Sequence, residues 1–283
     1  MIRRPAVVAV TLGGTLGGAL LVAGAMGTFA PGTRKLAPAP DPTTTVLFNA
    51  PAVHNPRPTQ AAPAQRQRVD CRKQKCVALT FDDGPVMDTS KVLDMLKAKN
   101  ARATFFVLGM QAAQYPDILK RAAAQGNEIG NHTFSHAKLQ GAPAATVQTE
   151  VGRTQRIIRE LTGKWPTLLR PTYGSTDKQL DGICKQHKLS EVLWSVDTVD
   201  WRDRDTKKIT DRVVTQTQPG SIVILHDVKP TTVAAVPEIL NKLTQKGFTF
   251  VTVSEIYGGQ LKPGEKYPAF LGSPQAGLAP PGA

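Results

Sequence analysis

Asp82 and Asp83 stand side by side in the run Thr80-Phe81-Asp82-Asp83-Gly84-Pro85. Adjacent side chains diverge, so one carboxylate can bind a metal while the other faces a substrate. The bland alternative is a surface turn of Asp and Gly. Farther along lies Gly130-Asn131-His132-Thr133-Phe134-Ser135-His136. Two histidines spaced i, i+4 converge on one ion if the backbone between them is helical. Thr133 stands where the helical zinc-protease motif would carry Glu, so that motif is excluded. Asp83, His132 and His136 together supply one carboxylate and two imidazoles, with positions left for water and substrate. Such a set suits zinc hydrolysis, ferrous oxygen chemistry or another divalent ion. Asp82 and His226 add a base and an acid, which favours hydrolysis.

Three further stretches carry polar chemistry. Arg170-Pro171-Thr172-Tyr173-Gly174 offers a guanidinium that can orient a carboxylate, or a structural ion pair. Asp197-Thr198-Val199-Asp200-Trp201 and Ile224-Leu225-His226-Asp227 read otherwise as a turn and a capping pair. The chain has five histidines. His54, in a Pro-rich stretch, and His187, after a helical segment, are read as solvated.

Elements must bring these stretches together. Apolar runs of strand length fall at 77–81, 103–108, 128–130, 167–170, 191–196, 221–225 and 248–253. Segments of helical period lie between most of them, the longest near 144–161 and 232–246. Seven strands alternating with helices predict a parallel sheet, barrel or open. In either class, reactive groups sit at the carboxyl ends of strands. Asp82, Asp83, His132, His136, Arg170, Asp197, Asp200, His226 and Asp227 all follow that rule.

In this order, the motifs resemble the polysaccharide deacetylase family, carbohydrate esterase family 4, with its NodB-homology domain. The carriers are Thr-Phe-Asp-Asp-Gly-Pro, His-Thr-x-x-His, Arg-Pro-x-Tyr-Gly, Asp-x-x-Asp-Trp and Leu-His, with flanking matches at 103–109 and 126–132. The resemblance covers residues 70–257. It departs at Thr172, where the family often has Pro, and that change is expected to loosen the turn beneath Tyr173.

The resemblance implies an α/β fold, a deformed (β/α) barrel of about seven parallel strands. It implies that Asp83, His132 and His136 bind a divalent metal ion, zinc in the first instance, cobalt or another ion otherwise. Asp82 is then the general base, held by Arg170. His226 is the general acid, paired with Asp200. The backbone N–H of Tyr173 helps hold the oxyanion, and Trp201 and Leu225 form the pocket for the acetyl methyl. The implied substrate is an N-acetylglucosamine polysaccharide, of peptidoglycan or chitin type, and the implied product is acetate. An O-deacetylase such as a xylan acetyl esterase is the alternative on the same scaffold. A non-catalytic carbohydrate-binding protein would be expected to lack one of the five reactive residues, and none is lacking.

The flanks set the context. Arg3 and Arg4 precede an uncharged stretch, 5–33, that reads as a signal peptide or signal anchor over 1–30. Residues 31–69 are rich in Pro, Ala, Thr and Gln and read as a disordered linker. Residues 258–283 read as a flexible tail. The protein is thus expected to be exported, either secreted or held at the wall or membrane, touching the membrane only through an uncleaved leader. A monomer is expected.

Net charge is +13. Residues 1–69 hold seven Lys or Arg against the single acid Asp41. That bias suits an anionic surface such as a membrane or an acidic wall polymer. No nucleic-acid-binding motif is present. Cys71 and Cys76 read as a local disulfide in an exported protein, with a zinc site as the rival; Cys184 reads as a buried thiol.

Overall fold

Residues 69–267 are described by the computed structural model. The expected leader, the linker up to residue 68 and the tail beyond 267 lie outside the described residues. Nine strands form one sheet: β1 Cys76–Asp82, β2 Thr104–Val107, β3 Glu128–Asn131, β4 Leu168–Leu169, β5 Ser190–Val192, β6 Val196–Asp197, β7 Ser221–His226, β8 Thr249–Phe250 and β9 Lys266–Tyr267. All pairings are parallel. The order is β6-β7-β1-β2-β3-β4-β5-β9, and β8 lies against the first two residues of β1. The helices are α1 Thr89–Ala98, α2 Gly109–Gln114, α3 Pro116–Ala124, α4 Ala144–Thr162, α5 Lys178–Gln186, α6 Asp200–Asp203, α7 Thr206–Gln216, α8 Pro230–Gln245 and α9 Val253–Ile256.

Strand periodicity sorts side chains into two layers. Val77, Leu79 and Phe81 of β1 point outward with Val223 and Leu225 of β7, into a core shared with α1, α3, α7 and α8. Ala78, Phe106, Leu168, Val192 and Ile222 point inward. Each fully buried Leu or Phe contributes roughly 1.5–3 kcal/mol, so this alternation pins the register: a one-residue slip would turn every core side chain to the wrong face.

The expected strand at 191–196 is two strands. β5 pairs with β4 and β9, whereas β6 pairs with β7 at the far margin of the sheet. Residues 193–195 therefore carry the chain from β5, next to the β9 margin, to β6 at the opposite margin. Four Cα steps reach at most ~14 Å, so the sheet must curl until its margins nearly meet. The result is a deformed (β/α) barrel closed by the covalent chain, with no ladder between β5 and β6.

Arg170 compensates where the ladder breaks. Its Nε donates to Val192 O at 3.2 Å and its Nη2 to Leu193 O at 3.0 Å, satisfying carbonyls that would otherwise be buried and unpaired. β9 falls within the segment expected to be a flexible tail, and its register with β5 runs Glu191↔Lys266, Val192↔Tyr267. Cys71 and Cys76 form a disulfide with S–S 2.08 Å, and Cys184 is a free, buried thiol in α5. His187 is half-buried and its Nε2 lies 2.8 Å from Gln148 Oε1, tying α5 to α4, so it is not simply solvated.

Candidate active site

The carboxyl ends of β1, β3, β4, β6 and β7 converge on one cleft of about 440 Å³. Asp82, Asp83, His132, His136, Tyr173, Trp201 and His226 line it, as do Trp194, Asp197, Ile224 and Lys229. Asp82 is the last residue of β1 and points inward; Asp83 follows with φ 74°. Asp is among the residues that enter the left-handed region more readily than most. That turn throws the two carboxylates in different directions. Gly84 comes next, and a Cβ there would lie 2.7 Å from the Asp227 carboxylate, so the position must remain glycine.

His132 and His136 do converge, but not on a helix. Residues 132–136 form an irregular turn with Thr133 at φ 72° and His136 at φ 66°. Its backbone donors find side-chain acceptors: Thr133 N–H to Asn131 Oδ1 at 2.8 Å, His136 N–H to Thr133 Oγ1 at 3.0 Å, and Phe134 and Ser135 N–H to Glu150 Oε2 of α4 at 2.9 and 2.8 Å. Such backbone strain persists only where surroundings over-determine it, and here Asn131 and Glu150 supply that constraint.

Asp83, His132 and His136 each offer one ligand atom, all within 4.8 Å of one another. Asp83 Oδ1 lies 3.5 Å from His132 Nε2 and 3.4 Å from His136 Nε2. This oxygen is buried and has no hydrogen-bond partner. An orphaned carboxylate oxygen facing two imidazole nitrogens is costly unless a cation sits between them. His132 Nδ1 lies 2.7 Å from Arg170 O. A carbonyl can only accept, so Nδ1 carries the proton and the Nε2 lone pair faces Asp83. Burial drives His132 down to about 3, against the pull of Asp83, so the ring is neutral at pH 7. His136 Nδ1 lies 3.1 Å from Tyr173 Oη, its outer-shell partner. The donor set therefore fits a divalent ion.

Asp82 is 1% exposed and meets Arg170 Nη1 at 2.9 Å. Arg170 is itself fully buried, and Nη1 also donates to Thr80 Oγ1 at 2.6 Å. Burial pushes the Asp82 carboxyl above its usual range, opposed by the charges of Arg170 and His226. Across the cleft, His226 Nδ1 lies 2.7 Å from Asp200 Oδ1, while Asp200 Oδ2 accepts from His226 N–H at 2.8 Å and Thr232 Oγ1 at 2.7 Å. His226 Nε2 is left facing the cleft. Burial works against the imidazolium, but the hydrogen bond and charge of Asp200, with Asp82 and Asp83, lift it to about 9.

Two expectations change. Leu225 belongs to the outward core with Phe81 and does not line the cleft; Ile224, one residue earlier on β7, does. Period-2 alternation from His226 puts residue 224, not 225, on the inward face. Thr172, expected to loosen its turn, instead donates to Ala137 O at 2.7 Å and braces the segment after His136. Tyr173 takes φ 60°, is 67% exposed, and its N–H donates to no acceptor among the described residues.

Trp194, Lys229, Glu150 and Asn131 were not singled out from sequence. Trp194 lies in the break between β5 and β6, packed so close to Gly174 that a Cβ there would approach its ring at 3.1 Å. Asp227 sits behind the Asp-Asp-Gly-Pro turn and accepts from Thr89 Oγ1 at 2.5 Å.

The family model described as polysaccharide deacetylase matches residues 69–192. The peptidoglycan-N-acetylglucosamine deacetylase PgdA of Listeria monocytogenes is 39% identical over 197 residues, covering 69% of this chain and 42% of that protein. The chain thus spans about two fifths of that relative's length. A peptidoglycan-N-acetylglucosamine deacetylase of Bacillus cereus is 40% identical over 187 residues, covering 64% of this chain and 68% of the relative. The solved structure of a "T48 deacetylase with substrate" superposes with TM-score 0.68 at 40% identity, covering 70% of this chain and 99% of that one.

Proposed function

Because the chain belongs to the polysaccharide deacetylase family, we propose that it is an exported, monomeric, metal-dependent hydrolase that removes acetyl groups from N-acetylated sugars of a wall polysaccharide. The N-acetylglucosamine units of peptidoglycan are its first substrate, chitin-type oligomers its second. One observation carries the reading. An orphaned Asp83 oxygen and two imidazole nitrogens share a single point, between a buried carboxylate and an imidazole held protonated.

Asp83 Oδ1, His132 Nε2 and His136 Nε2 would hold a divalent ion, zinc in the first instance, whose Lewis acidity makes water acidic and polarises the amide carbonyl. Asp82 takes the proton from the attacking water. Arg170 fixes its orientation, and burial makes it a stronger base than a solvated carboxylate. The free N–H of Tyr173 donates to the oxyanion as it develops. His226 Nε2 delivers its proton to the departing nitrogen, which leaves as an amine. Ile224, Trp194 and Trp201 give the cleft its apolar wall, suited to a methyl group and a sugar face.

The test is acetate release from peptidoglycan, chitotetraose and acetylxylan, with and without chelator. Release from the two N-acetylated glycans should stop on chelation and return with zinc. Asp82→Asn should keep its metal by elemental analysis yet lose about 10²- to 10⁴-fold in kcat. Release that ignores the chelator, or acetylxylan as the only substrate, would overturn the reading.

A further inference from the structure

Among the described residues, the cations in and beneath the cleft have partners, except one. His226 is bound to Asp200, and Arg170 makes four hydrogen bonds, to Thr80, Asp82, Val192 and Leu193. Lys229 lines the same cleft and is half-buried. Among the described residues, no carboxylate lies within 4 Å of its ammonium and no acceptor takes its hydrogen bond. Some lysines elsewhere are matched, such as Lys207 to Asp211 and Lys266 to Asp181, and others are not; among the described residues, Lys229 is the lysine that lines this cleft.

The Lys229 backbone is rigid. Its N–H donates to His226 O at 3.1 Å, and its carbonyl accepts from Thr232 and Val233 N–H at 3.0 Å each, at the start of α8. The side chain therefore leaves a fixed turn three residues from His226, on a cleft that also holds Trp201 and Ile224. An ammonium that no protein carboxylate neutralises is open to pair with an anion arriving with the ligand. A glycan of hydroxyl and acetamide groups alone brings no such anion. A wall glycan whose neighbouring sugar carries a carboxylate does.

We propose that Lys229 is a specificity-determining residue that pairs with a carboxylate on the sugar beside the reacting unit, so that the cleft prefers an anionic N-acetylated glycan to a neutral one. Which sugar is the reacting unit rests on the deacetylase reading; the charge preference does not.

Equilibrium binding of the zinc-loaded full chain reads it. The probes are chitotetraose, a peptide-free tetrasaccharide alternating N-acetylglucosamine with N-acetylmuramic acid, and the same tetrasaccharide bearing its stem peptide. The protein should bind an anionic ligand about five- to tenfold more tightly than chitotetraose at low salt, a gap near 1 kcal/mol. Lys229→Gln should collapse that ratio and Lys229→Arg should keep it, with thermal melts confirming that both variants fold. A preference seen for the peptide-free ligand supports the sugar carboxylate, and one seen only with the stem overturns the proposal, because there the sugar's own carboxyl is tied up in the amide to the peptide. The proposal falls if the ratio is unchanged in Lys229→Gln, if the unaltered protein shows no preference, or if no ligand binds. Acetate measured in the same samples separates the two readings: a Lys229-dependent preference without acetate would sink the deacetylase and leave the cation.

Discussion

His226 owes its proton to Asp200. Burial alone would strip an imidazolium, yet a 2.7 Å hydrogen bond to a fully buried carboxylate outweighs it, lifting the group to about 9. The acid form is therefore present below about pH 9 and is lost as pH rises through that value. Asp200→Asn removes the first lifting cause, so the alkaline limb of kcat/KM should move down by about one pH unit or more, with a neutral-pH rate loss of about tenfold or greater. A limb that stays in place would show that another group supplies the proton. On the acid side, activity should fall as Asp82 gains a proton, at a pH above that of a solvated carboxylate. Residue identities were legible before the fold: a doubled Asp before Gly-Pro and two His four apart announce themselves. Ile224 lies two positions before His226 and shares its face of β7, whereas the Leu-His motif marks Leu225, whose side chain points the other way.

The turn at 132–136 shows what an element adds. Spacing i, i+4 pointed to a helix, whereas the structure bends the segment through left-handed Thr133 and His136. What holds it is distant in sequence: the Glu150 carboxylate of α4 accepts from two successive N–H groups and from Ser135 Oγ at 2.9 Å. Outer-shell groups of this kind commonly account for 10- to 100-fold in metal affinity. Glu150→Ala should therefore weaken zinc binding by about tenfold or more, measured by titration against a competing chelator, with the melt showing that the barrel persists. Unchanged affinity would mean that the turn holds itself. The split of 191–196 into β5 and β6 is the same lesson in a strand. Local apolarity marks an extended chain, and says nothing of which neighbour each half will pair with.

Across the whole barrel, one buried acid sets a pH dependence away from the cleft. Glu191 of β5 is fully buried, accepts from Thr176 Oγ1 at 2.6 Å, and has its other oxygen unpaired. Burial, with Asp181 nearby, raises it to about 7. The folded protein thus keeps this proton to higher pH than the unfolded chain does. Stability from this group is fully present below the ordinary glutamate range and declines as pH rises toward 7 and beyond. At about 1.4 kcal/mol per unit, the loss is on the order of 1–3 kcal/mol. Glu191→Gln should flatten that slope and raise the denaturant midpoint at pH 8 relative to the parent. A variant with the same slope, or a lower midpoint at pH 8, would refute the assignment.

Sequence alone determined the reactive side chains, their order along the chain, and the alternation that sends Val77, Leu79 and Phe81 to one face and Ala78, Thr80 and Asp82 to the other. Those properties are local: a side chain carries its own chemistry, and a strand its own period of two. Tertiary structure decided that β5 and β6 pair toward opposite ends of the sheet, that Arg170 bridges the break between them, that Glu150 holds the histidine turn, and that Lys229 meets no carboxylate among the described residues. Each of these depends on pairing between segments tens of residues apart, and no local pattern records which partner a backbone or a charge will find.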